Sequence, residues 1–188
     1  MRILNEFFFQ DDSVVQKWAV DSQSNPIPLD LWHKFSQKKT HGTEISPSTG
    51  LLNSKDGFIE LGNLCKRSLW DQAVHGTSDD MKLTPLEHEH KIFNLDPEIN
   101  SNIAQFVRFG HILQYDGKFY AYQISQAMAG QIWEALFKDD PLNHEAGQRY
   151  LNTFLGVGGS RTPRSMYSEL LGKDVCIDDL ANSLIKYH

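Results

Sequence analysis

The chain has 188 residues, enough for one domain with a substantial core and too few for two large ones. Hydrophobic residues make up 40% and charged residues 22%, an ordinary globular composition. A net charge of −6 argues against a nucleic-acid binder, which needs clustered Lys and Arg, and no apolar run approaches the ~18 residues that span a bilayer.

The two cysteines, Cys65 and Cys176, lie far apart, which argues against a disulfide scaffold or a cysteine-based zinc site and fits a reducing compartment. The first residues, MRILNEFFFQDD, carry one Arg and turn acidic at once. A secretory signal needs a longer apolar stretch, and a mitochondrial presequence needs an Arg-rich, acid-poor helix. Taken alone, the chain reads as cytosolic.

In chain order the pattern is helical almost everywhere. Leu4, Phe7, Phe8, Val14, Val15 and Trp18 predict a first helix over 4–20, stopped by the prolines of NPIP at 25–28. A shorter helix follows over 29–38. Residues 40–57, rich in Gly, Ser, Thr and Pro, read as a connection. Phe58, Leu61, Leu64, Cys65, Leu69 and Ala73 recur at three and four and predict an amphipathic helix over 58–75, with Gly76 after its end. Thr84 before Pro85 signals an N-cap and a short helix over 85–93. A second strong region starts near Phe106. A long helix is expected over 118–137, its buried face carrying Ala121, Ile124, Ala127, Met128, Ile132, Ala135 and Leu136. Another is expected over 144–155. GVGGSRTP at 156–163 then stops the chain and restarts it with Thr162 as N-cap and Pro163 at the first helical position. Two short helices, over 164–171 and 177–186, finish it. No strand alternation or repeat is evident. The fold class is therefore all-α, with residues 1–188 read as a single helical region.

Three segments could carry chemistry. Segment 108–122, RFGHILQYDGKFYAY, holds His111, Tyr115, Tyr120 and Tyr122 with Gly110, Gly117 and Phe119. With a helix starting near Lys118, Phe119 and Tyr122 share a face, Tyr120 points away, and His111 and Tyr115 lie in the loop before it. Tyr and His donate hydrogen bonds and can stabilise an oxyanion; the same aromatics can equally pack a helix start, with their hydroxyls on water or backbone. The second segment contains His75, His88 and His90. A metallopeptidase places two histidines at i and i+4 with a Glu between them. His88 and His90 are two apart, no His-Glu-x-x-His occurs in the chain, and a solvated charged helix is the simpler reading. The third, GGSRTP, lacks the Lys-Ser/Thr pair of a phosphate loop and reads as a turn between helices. Cys65, on an apolar face, reads as a small core residue, and Cys176, before an Asp pair, makes a poor thiolate.

The run His111, Tyr115, Phe119, Tyr120, Tyr122 resembles the His-x-x-x-Tyr-x-x-x-Tyr-Tyr-x-Tyr pattern of the thimet-type zinc oligopeptidases of peptidase family M3, above all their mitochondrial intermediate peptidase branch. The resemblance extends over nearly the whole chain, through NEFFFQDDSVVQKWA, NPIP, LWDQAVHG, DPLNHEAGQRYLNTFLGVGGSRTPRSM and VCIDDLANSLI. It covers only the C-terminal portion of the family.

The resemblance implies that His111 and Tyr122 match positions that contact substrate or stabilise the oxyanion. It also implies that Tyr115 matches the Gly/Tyr loop that closes on the peptide, with Gly117, Phe119 and Tyr120 as further substrate-binding positions. Phe119 stands where the family usually has Tyr, so any hydrogen bond from that position is lost. The family's zinc ligands match nothing between Met1 and His188. The implied partners are a peptide substrate and an amino-terminal peptidase part, the implied cofactor is a zinc that this chain alone does not bind, and the implied location is the mitochondrial matrix. Faces such as Phe7, Phe8 and Phe9 are then expected to be exposed in isolation.

Overall fold

A computed structural model describes residues 2–45, 52–54, 57–76, 83–94 and 110–187. The expected start near Phe106 lies outside them. In chain order the elements begin with helices α1 (Arg2–Gln10), α2 (Asp12–Trp18) and α3 (Leu29–His41), strands β1 (Gly42–Ile45) and β2 (Leu52–Ser54), and helices α4 (Gly57–His75) and α5 (Pro85–Phe93). They continue with α6 (Gly110–Tyr115), α7 (Ala121–Leu136) and α8 (His144–Tyr150), which runs into a π-helical turn at Leu151–Leu155. The chain ends with α9 (Pro163–Leu171) and α10 (Ile177–Lys186). The architecture is all-α, with one short antiparallel pair in which Ile45 faces Leu52. Strands of four and three residues are too short to show alternation, which is why the 40–57 connection gave no strand signal.

The chain divides into two compact units, Met1–Lys55 with Ile124–His188, and Asp56–Gln123. In the first, the helix expected over 4–20 is two helices. Asp11 leaves helical geometry, and its carboxylate accepts the N–H groups of Ser13 and Val14 at 2.9 and 3.2 Å. A capping side chain inside an apolar run offers the backbone an alternative to continuing the helix. Leu4, Val14 and Val15 are buried as the stripe predicts, but Trp18 is 70% exposed.

The core of this unit is built on α7, through Met128, Ala129, Ile132 and Trp133, packed with Leu4, Phe137, Tyr150, Phe154, Tyr167 and Leu170. Phe7 and Phe8 are not left exposed: Phe7 stacks on Trp133 at 5.7 Å and Phe8 meets the same ring edge-on at 5.1 Å. Only Phe9 of the three is strongly exposed. Gly130 allows a close approach within this core. A Cβ there would stand 2.6 Å from Ser183 Oγ and 2.7 Å from the Tyr187 ring, both at the end of α10.

The second unit gathers Leu64 and Trp70 of α4, Ile112 of α6 and Phe119, flanked by Val74, Ile92, Phe93, Tyr115 and Tyr122. The inward face of α4 runs Leu64, Ser68, Asp71, not through Leu69, which is 60% exposed. The 64, 68, 71 rhythm is as helical as the predicted stripe. It was hidden because two of its three members are polar. The capping box on α5 forms as its sequence predicts, with Thr84 and Glu87 bonded reciprocally. The helix is not simply solvated, however, because His88 and Glu89 are both buried.

Candidate functional site

His111 and Tyr115 lie on α6 rather than in a loop. At four residues apart they share a helical face, and their rings stack at 6.1 Å with 15° between planes. After Tyr115 the chain turns tightly. Asp116 and Gly117 take φ of 49° and 80°, and Lys118 N–H closes on Tyr115 C=O at 3.1 Å. The left-handed second position favours glycine. A Cβ at Gly117 would also touch His75 Cβ at 3.4 Å.

From this turn α7 starts, its first residues Ala121 and Tyr122 donating to Lys118 and Phe119 carbonyls. The result brings together side chains that are seven apart in sequence. The Tyr115 and Tyr122 rings lie 5.3 Å apart, and their hydroxyl oxygens are 2.6 Å apart, a short hydrogen bond. Phe119 sits against both, edge-on to Tyr115 at 5.9 Å and tilted to Tyr122 at 5.1 Å. It is 4% exposed. Tyr120 points away and is 42% exposed, as the spacing predicts. His111 is exposed.

Beneath the turn stands a residue that the motif reading passed over. Asp71, on α4, is fully buried. Its Oδ2 accepts the N–H of Phe119 at 2.8 Å, and its Oδ1 accepts the N–H of Gly117 at 3.2 Å and faces His75 Nδ1 at 3.0 Å. Gln72, next to it, donates its side-chain amide to the Gly117 carbonyl. A carboxylate at zero exposure must be satisfied to be tolerated, and the sequence signal was an Asp set on the inward rhythm of an amphipathic helix.

The other candidates do not join this site. Among the described residues, no three His, Cys, Asp or Glu side chains are grouped so as to hold a metal ion. The donor set that zinc requires is therefore not assembled from them. GGSRTP is a turn: Gly158 takes φ 53°, and Thr162 caps α9 by accepting Ser165 N–H at 3.2 Å. Cys65 is half-buried and Cys176 exposed. No helix among the described residues is long and apolar enough to cross a membrane.

The chain is similar to known peptidases along almost all of its length. It is 29% identical over 191 residues to the mitochondrial intermediate peptidase of Homo sapiens and 34% identical over 187 residues to that of Rattus norvegicus. In each case the match covers 97% of this chain and 24% of the relative. It is 40% identical over 179 residues to the mitochondrial intermediate peptidase of Debaryomyces hansenii (strain ATCC 36239 / CBS 767 / BCRC 21394 / JCM 1990 / NBRC 0083 / IGC 2968), covering 92% of this chain and 21% of the relative. The chain thus spans about a quarter of the length of these relatives. The model of peptidase family M3 matches residues 3–184, a span that contains both halves of the tyrosine turn and the buried aspartate beneath it. On that match the chain belongs to peptidase family M3.

Proposed function

We propose that residues 1–188 act as one all-helical, C-terminal portion of a zinc oligopeptidase catalytic domain of the mitochondrial intermediate peptidase type, working in the matrix. In this reading the chain supplies the hydroxyl-bearing wall of a peptide site, and the rest of the domain is its partner. The observation that supports this most directly is the 2.6 Å pair of Tyr115 and Tyr122 hydroxyls, with His111 stacked on the first ring.

Two phenols at that distance share one proton between their oxygens, and the accepting phenol keeps its own proton to donate outward. A donor so held is pre-aimed at a carbonyl oxygen that gains charge, which is where a fixed hydrogen bond contributes most to catalysis. His111 presents its ring to the same peptide, and exposed Tyr120 and the Gly117 turn border it. When bound, zinc supplies the activated water, held by residues outside those described. Each residue of the present chain acts only to bind, orient and donate.

The test is a titration of the chain with short peptides, alongside its metal content and peptidase activity. The chain alone is expected to carry no stoichiometric zinc and to cleave nothing, while binding peptide through a site weakened by His111→Ala with Tyr122→Phe. Absence of saturable binding at millimolar peptide rejects the wall.

A second reading is a stand-alone, non-catalytic helical module that binds peptides. Phe119 favours it, because a Tyr in that position of the family pattern offers a donor that Phe lacks, and such a donor is typically worth ~2.7–4 kcal/mol in the transition state. Adding the upstream three-quarters of the rat relative separates the two. Metal-dependent hydrolysis on mixing supports the first reading, and binding without hydrolysis supports the second.

A further inference from the structure

We propose that Asp71 is the positioning residue of the peptide site: its buried carboxylate sets the backbone of the Tyr115–Tyr122 turn and so holds the two hydroxyls in register. This rests on the reading of that turn as a peptide-binding wall.

The argument begins with the turn itself. Residues 116–120 lie between α6 and α7 and belong to neither helix. The Gly117 and Phe119 amides both donate to Asp71, one to each carboxylate oxygen. Those two amides straddle Lys118 and bracket the place where the chain reverses. Tyr115 ends just before them and Tyr122 follows three residues after. The distance between the hydroxyls depends on how the turn is held, and beside the turn's own Lys118–Tyr115 bond and the Gln72 amide, the Asp71 carboxylate holds two of its N–H groups from 46 and 48 positions away. His75 completes the arrangement. Its Nδ1 lies 3.0 Å from Asp71 Oδ1, one helical turn along α4, and its Nε2 lies 3.9 Å from Asp116 Oδ1 on the turn. Asp71 touches neither hydroxyl, so it acts through the turn.

The wild-type chain gives the first measurement. By amide hydrogen exchange, Gly117 and Phe119 should be protected about 10- to 100-fold, the equivalent of a bond to a charged acceptor. Free exchange at both overturns the proposal. Asp71→Asn, which keeps one acceptor oxygen and presents an NH2 to the other amide, should abolish protection at one of the two and lower it at the second. It should also lengthen the Tyr115–Tyr122 contact, read as loss of a slowly exchanging hydroxyl proton signal, while amides of Ala129–Trp133 in the other unit keep theirs. His75→Gln should leave Gly117 and Phe119 protected, which a general loosening of α4 would not. Peptide affinity should fall about tenfold in Asp71→Asn, matching the lost bond. Unchanged affinity with lost protection overturns the positioning role. If wild-type protection is present but no peptide binds at all, the anchoring of the turn stands and the peptide-site reading fails instead.

Discussion

The hydroxyl pair is the smallest unit on which the functional reading turns. Tyr122→Phe removes one oxygen from a 2.6 Å bond and leaves the half-buried Tyr115 hydroxyl to find water. A neutral hydrogen bond contributes about 0.5–1.5 kcal/mol, so unfolding by denaturant should show a loss in that range. A second residue-scale expectation concerns Tyr150, in the core of the first unit. Burial pushes its phenol up to about 12. The folded value lies above the ordinary 10, so the stability linked to it is fully present below pH 10 and is lost as pH rises through about 12. A pH series of denaturant midpoints should fall across that window, and Tyr150→Phe should flatten the fall after its own baseline shift is removed. Equal slopes in the two proteins would count against burial as the cause.

At the scale of elements, two local devices make separable predictions. Thr84→Ala removes the side-chain oxygen that accepts Glu87 N–H at 3.3 Å, and an N-cap of this kind is typically worth about 1 kcal/mol. Glu87 responds to pH through the same box. The Thr84 N–H and hydroxyl hold its carboxyl below the usual range. Its contribution is therefore present above pH 4.5 and is lost as pH falls through the lower folded value. The protection of α5 amides, taken relative to the intrinsic exchange rate at each pH, should fall in acid, and fall less in Thr84→Ala. Gly130→Ala is the opposite kind of change. Alanine favours a helix, yet its Cβ would meet Ser183 and Tyr187 well inside contact distance, so a net loss of about 1–3 kcal/mol is expected. These same devices show what the sequence made legible. The caps at Thr84 and Thr162, each followed by proline, act within four residues and were readable because their cause is local. The break at Asp11 was local too, but it sat inside an apolar stripe whose rhythm continued across it. Asp71 was not legible as a site residue, because its partners lie 46 and 48 positions away and only the folded turn brings them under it. The pairing of Tyr115 with Tyr122 was partly legible: the residues were named from their pattern, but their hydroxyl contact depends on the left-handed bend at Asp116 and Gly117.

At the scale of the whole molecule, the exposed apolar side chains decide how the chain behaves in solution. The phenylalanines first expected to face water are mostly covered, since Phe7 and Phe8 pack on Trp133. Exposed large apolar side chains recur along the chain, from Phe9 through Leu69 to Ile177, and one run of them covers α2, the following turn and α3. Trp18 is 70% exposed and Phe35 53%, with Val20 and Leu31 between them. Large apolar side chains that face water favour association, which removes apolar area from water. The chain should therefore elute from a size-exclusion column at a volume that depends on loading concentration, moving toward larger species as concentration rises. Trp18→Ser with Phe35→Ser should shift that dependence toward monomer, and the loss of helical signal should be small, because both side chains are exposed in the folded state. A chain that elutes as a monomer at every concentration would show that these exposed side chains do not drive association.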